Sequence, residues 1–124
     1  MSDLETLRAL AFSFEGTREE YPWGQETSVF KTPKGKIFAM AGIEEGGRLR
    51  VTLKLTPDES AEARLLPFIE PAAYVGRHGW VTVRVSNEFE WETAEGLVRR
   101  SHELVVGGPK GRAGESGKGA RQRA

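Results

Sequence analysis

The segment Arg48-Leu49-Arg50-Val51-Thr52-Leu53-Lys54-Leu55 alternates without a break, leucine and valine on one side and Arg48, Arg50, Thr52 and Lys54 on the other. Successive side chains of a strand point to opposite faces of its sheet, so this period of two predicts a strand with one buried and one open face. Turn signals lie upstream of it. Glu44-Glu45-Gly46-Gly47 leads into the segment, Thr32-Pro33-Lys34-Gly35 precedes the apolar run of residues 36–43, and Thr27 to Lys31 comes before that. Turns of this length join antiparallel neighbours, which predicts a three-stranded meander.

Downstream, Thr56-Pro57-Asp58-Glu59 joins a capping box to a proline at the first helical position and predicts a helix over 57–66. Pro67, Pro71, Gly76 and Gly79 punctuate the next stretch, after which Trp80 to Val85 returns to a period of two, with Val81, Val83 and Val85 opposite Trp80, Thr82 and Arg84. Asn87 and Glu90 open a last helix whose stripe is Trp91, Ala94, Leu97, Val98, Ser101, Leu104 and Val105. At the start of the chain Ser2 and Glu5 form another capping box, ahead of Leu4, Leu7, Leu10, Ala11 and Phe14 at helical spacing, which predicts a helix over 3–14. Residues 15–24 read as a loop around Pro22. The order is helix, three strands, helix, one or two strands, helix. It defines an α+β, two-layer fold in which an antiparallel sheet of about five strands carries helices packed on one face.

The 124 residues suit one compact domain. Eighteen basic residues balance eighteen acidic ones, but the two signs are not evenly mixed. Residues 107–124 hold six of the fifteen glycines, no apolar side chain larger than alanine except one proline, and five cations (Lys110, Arg112, Lys118, Arg121, Arg123) against Glu115, a balance of plus four. Such a segment buries too little surface to offset its ordering entropy, so it is expected to be a disordered basic tail on a folded domain of residues 1–106. The domain then carries 13 basic and 17 acidic groups, or minus four. Absence of cysteine excludes a disulfide framework, a thiolate zinc site and a cysteine nucleophile. No apolar run approaches the roughly 18 residues of a membrane span and the N-terminus is acidic, so a cytoplasmic protein without membrane contact is expected.

Catalytic patterns are absent in their functional forms. Glu19 and Glu20 fall in a loop read as solvated, His78 and His102 sit on different elements without acidic partners for a metal, and the consecutive residues Ser101-His102-Glu103 of a helix diverge too far to relay a proton. Gly107-Gly108-Pro109-Lys110-Gly111 lacks the Lys-Ser/Thr pair of a phosphate loop. No catalytic residue, metal or cofactor is expected. The open sheet face offers cations with aromatic neighbours instead, and the candidate binding residues are Trp23, Lys31, Arg48, Arg50, Lys54, Arg77, Trp80 and Arg84, with the tail cations adding electrostatic reach.

Six short segments carry a family resemblance: Tyr21-Pro22-Trp23-Gly24, Val29-Phe30-Lys31, Lys36-Ile37-Phe38-Ala39, Val51-Thr52-Leu53-Lys54, Tyr74-Val75-Gly76-Arg77-His78-Gly79-Trp80-Val81 and Ser101-His102-Glu103-Leu104-Val105. Taken together in this order and spacing, over about residues 7–106, they resemble the MmcQ/YjbR family. The resemblance implies an antiparallel sheet layered with helices, similar to type III secretion chaperones and to the frataxin-like architecture, and it brings a DNA-binding label. Many members carry a His-Trp-Asn-Thr pattern before the fourth main strand, where this chain has His78-Gly79-Trp80-Val81-Thr82, so no role carries over to His78. The expected function is a non-enzymatic binding module, monomeric or weakly dimeric, with DNA as ligand. The alternative is a chaperone-like module that receives a protein segment on the open sheet face.

Overall fold

The computed structural model describes residues 3–73 and 78–107. Its elements are α1 (Asp3–Phe12), β1 (Arg18–Glu20), β2 (Ser28–Lys31), β3 (Ile37–Ile43), β4 (Leu49–Lys54), α2 (Pro57–Ala63), β5 (Ile69–Pro71), β6 (Trp80–Val85) and α3 (Glu88–Gly107). One sheet holds all six strands in the order β1-β2-β3-β4-β6-β5, every pair antiparallel. Leu49, Val51 and Leu53 of β4 and Val81, Val83 and Val85 of β6 form one core with Leu7, Leu10 and Ala11 of α1 and Trp91, Ala94 and Val98 of α3. The two-layer α+β reading holds, and the split of β4 into an apolar and a polar side is the observed one: its residues alternate buried and partly exposed along the whole strand.

A bulge shapes the centre of the sheet. Phe30 pairs with Ala39 while the next residue, Lys31, pairs with Ile37, leaving Phe38 as an extra residue in β3. The inserted residue breaks the alternation, so the consecutive Phe38 and Ala39 are both fully buried in the core. Past the last β3–β4 pair, Ala39 with Leu53, the Ser101 hydroxyl of α3 takes over the ladder. Its Oγ donates to the Phe38 carbonyl at 2.7 Å and accepts from the Lys54 amide at 2.9 Å. One buried side chain thus satisfies a strand donor and a strand acceptor and pins α3 to both strands.

The sheet has one strand more than the expected five or so: β5 is the second of the one or two strands expected between α2 and α3, whereas β1 is additional. The segment read as a loop contains β1, three polar residues with no apolar alternation, and β5 ends on Pro71 after only three residues. Both occupy the edges, where polar or proline-bearing short strands are the usual solution because a long apolar edge would template pairing with other chains. The α2 cap is the one its sequence predicts: Thr56 Oγ1 accepts from the Glu59 amide at 3.1 Å and the Glu59 carboxylate accepts from the Thr56 amide at 3.2 Å. The helix stops at Ala63, short of the expected 66, because Leu65 and Leu66 bond three residues back and tighten the last turn before Pro67. The Ser2 cap and the tail segment from residue 108 lie outside the described residues.

Replacing Ser101 by alanine leaves the Phe38 carbonyl and Lys54 amide without that partner in the core. The expected cost is about 2–3 kcal/mol, read as a lower urea midpoint with unchanged slope. His102 stacks on Phe14 with ring centres 4.0 Å apart and meets Phe38 edge-on at 4.9 Å. Burial pushes its pKa below the ordinary value, against the opposing pull of Glu103. The neutral ring is the form the fold holds, so stability from this group is complete above about pH 6.5 and falls as pH drops through that value toward the lower folded one. Thermal melts from pH 7.5 to 5.5 are expected to show this loss, and His102→Phe to remove it.

Candidate binding face

The open face is set out by register. Across β4 and β6, Arg50 stands opposite Arg84, Thr52 opposite Thr82 and Lys54 opposite Trp80. The two threonine hydroxyls lie 3.1 Å apart and hydrogen-bond across the strands. Four of the candidate residues, Arg50, Lys54, Trp80 and Arg84, are therefore gathered on two neighbouring strands at the middle of the sheet. Arg50 has its place set by a glycine: a β-carbon at Gly42, its partner on β3, would stand 2.7 Å from the Arg50 guanidinium and 2.8 Å from the Glu26 carbonyl. The missing side chain is what lets this arginine lie down on the sheet.

The other candidates divide. Lys31 shares the open side but lies two strands from β4, about 10 Å away. Arg48 is exposed in the β3–β4 turn, outside the strand, where its carbonyl accepts from the Glu44 amide at 2.7 Å. Trp23 is 64% exposed in the connection from β1 to β2, at the far side of the sheet. Arg77 and the tail cations Lys110, Arg112, Lys118, Arg121 and Arg123 lie outside the described residues.

Charge on the face is already partly answered. Arg84 donates to Glu70 at 2.6 Å and to Glu44 at 3.0 Å, and the hydrogen bond to Glu70 leads the contacts that raise its pKa. Lys31 is bound to Glu20 at 2.8 Å, and this bond is the main reason the Glu20 pKa lies below the usual carboxylate range. Among the described residues, Arg50 and Lys54 have no ion-pair partner. The sequence shows the cations of this face but not which of them arrive neutralised, because Glu44 and Glu70 lie 40 and 14 residues from Arg84.

A polar cluster at the β1 edge is the largest departure from the sequence reading. Glu19, expected in a solvated loop, is 10% exposed and receives Arg8 from α1 through two bonds of 2.8 Å. Tyr21 and Ser28 each add a hydroxyl at 2.7 Å. The Arg8 bonds, ahead of the two hydroxyls, hold its pKa down to about 2. Four donors saturate the carboxylate, so it is a clamp between α1 and the sheet edge rather than a proton-transfer group. Alternation at Ser28 and helical phase at Arg8 are the only sequence signals of this contact, and neither names a partner. Among the described residues, no group of three or more His, Cys, Asp or Glu side chains could hold a metal ion, and no helix is long and apolar enough to cross a membrane.

With the fold and face described, comparison with known proteins places the chain. The YjbR family model matches residues 12–104, and the chain belongs to that family. It is similar to the Deinococcus radiodurans protein DR2400, a DUF419-domain protein, at 28% identity and a TM-score of 0.73, covering 92% of this chain and 84% of that one. A Pseudomonas syringae protein known from both crystal and solution NMR structures shares the fold, with TM-scores of 0.64 and 0.65 at 21% and 20% identity. These two comparisons cover 85% and 94% of this chain and 99% and 97% of the Pseudomonas chain. No curated protein matches the chain.

The Glu19 clamp sets an acid limit. Its folded pKa lies below the unfolded value, so its contribution is complete above about pH 5 and is lost as pH falls toward 2. Glu19→Gln is expected to lower stability by about 2 kcal/mol at pH 7, with the gap to the unsubstituted protein closing in urea melts taken below pH 4.

Proposed function

We propose that this chain is a non-enzymatic binding module whose open sheet face takes a nucleic-acid strand across Arg50, Thr52, Lys54 and Trp80. The observation that carries this reading is the pair Arg50 and Lys54, cations on the open face without an ion-pair partner among the described residues. The backbone positions of Arg50 and Lys54, four residues apart along one strand, stand about 13 Å from each other, a span within which two phosphates of one backbone can be met. The indole of Trp80, directly across from Lys54 and partly exposed, offers a face on which a base can stack. The five tail cations add sequence-independent attraction to any polyanion so held.

Anisotropy titration of a labelled 20-nucleotide DNA, single-stranded and duplex, at two or more salt concentrations tests the proposal. The full chain is expected to bind with a steep salt dependence. Arg50→Ala and Lys54→Ala should each reduce the salt slope by about 1, and removal of residues 108–124 should reduce it by roughly 3 to 5. Absence of binding at low salt, or slopes unchanged by the two face substitutions, defeats the reading.

A protein partner is the second reading, and the ion pairs of Lys31 and Arg84 favour it. They leave the outer parts of the face mixed in sign, as at protein interfaces, and Glu20, Glu44 and Glu70 would repel a long polyanion. In this reading the face receives the segment, since three-residue edges bearing Arg18-Glu19-Glu20 or ending on Pro71 are poor templates for an added strand.

A further inference from the structure

The helix layer carries a second concave surface, on the side of the molecule away from the open sheet face. Leu55, Ala63, Leu66, Ile69 and Leu97 line a groove of about 500 Å³ between α2 and α3. Leu65, at its rim, is 82% exposed. Phe89, one helical turn before the groove residue Thr93, is 62% exposed and meets Phe68 edge-on at 6.0 Å. Leu65 thus lies in the groove and Phe89 one helical turn beyond it, two of the most exposed large apolar side chains, where a solvated helix pair would carry polar residues.

The rim has a sign. Arg100 already answers Glu59 at 2.9 Å and Glu103 at 3.2 Å. Glu62, which lines the groove, and Asp58, one helical turn before it on α2, have no basic partner among the described residues. An apolar channel with surplus carboxylates along one wall is complementary to a segment whose aliphatic anchors are flanked by lysine or arginine. Residues 108–124 of this chain supply the cations but no aliphatic side chain larger than alanine except Pro109, too little to fill the channel.

We infer that the α2–α3 groove is a docking site for a basic amphipathic peptide segment of a partner protein, its leucine-like side chains seated against Leu55, Leu66 and Leu97 and its cations on Glu62 and Asp58. This site is independent of the sheet face. The two surfaces belong to opposite layers and can be occupied together.

A labelled 14-residue peptide of leucines at helical spacing with lysine elsewhere, and its counterpart with glutamate in place of lysine, are the probes, titrated into the full chain at physiological salt. The Leu/Lys peptide is expected to bind, Leu65→Ser to weaken it about tenfold through lost apolar contact, and Glu62→Lys to weaken it about threefold. Arg50→Ala with Lys54→Ala should leave this binding unchanged while lowering the salt slope of DNA binding by about 2, which separates the two proposals. Leu65 is largely exposed, and circular dichroism on the variant confirms that loss of binding is not loss of fold. Equal binding by Leu65→Ser and the unsubstituted protein, equal binding of the Leu/Glu peptide, or no saturable binding of the Leu/Lys peptide overturns the inference.

Discussion

The hydroxyl of Ser101 holds the two layers of this molecule in register. It lies between a carbonyl of β3 and an amide of β4, at the point where a bulge has thrown two consecutive residues of β3 into the core. An apolar side chain there would leave both backbone groups dry and unpaired, while a larger polar one would not fit against a fully buried neighbour such as Phe38. With α3 fixed to β3 and β4 by this contact, the alternation of β4 has only one sense: Leu49, Val51 and Leu53 face the helices, and Arg50, Thr52 and Lys54 face outward. A slip of one residue would exchange the two sets, placing an arginine and a lysine under α3.

How much of this was legible depended on how local the signal was. The β4 and β6 alternations, the Thr56 cap, the glycine turns and the α3 stripe are each written within about twenty residues, and the structure follows them. The bulge at Phe38 was not legible, because the surrounding residues are apolar on both sides and no period marks the extra residue. β1 and the Glu19 clamp were missed for a different reason. Arg18-Glu19-Glu20 has no apolar pattern, and its strand identity comes from pairing with β2 and from Arg8, nine residues and more away in the chain. The candidate face was half legible. Its four central members were found by alternation, whereas the neutralisation of Arg84 and Lys31 depends on acids brought in by turns and edges.

The electrostatic picture changes accordingly. Counting charges along the chain divides it into an acidic domain and a basic tail, yet the domain itself is not uniformly acidic at its surface. Ion pairs to acids on the edges and turns neutralise Lys31 of β2 and Arg84 of β6 and leave Arg50 and Lys54 as a short cationic strip, while α2 keeps a surplus of carboxylates on the other layer. Local partners, more than net charge, decide what each face can attract.

The two edge strands have a consequence beyond the fold. A β-sheet is a polymer whose growth continues wherever an end unit offers free amides and carbonyls in an extended line. Here both end units are three residues long, one polar throughout and the other closed by a proline that has no amide to give. Termination at both ends by a short polar strand and a proline-closed one disfavours addition of a seventh strand, and with it the edge-to-edge growth that leads to cross-β assembly.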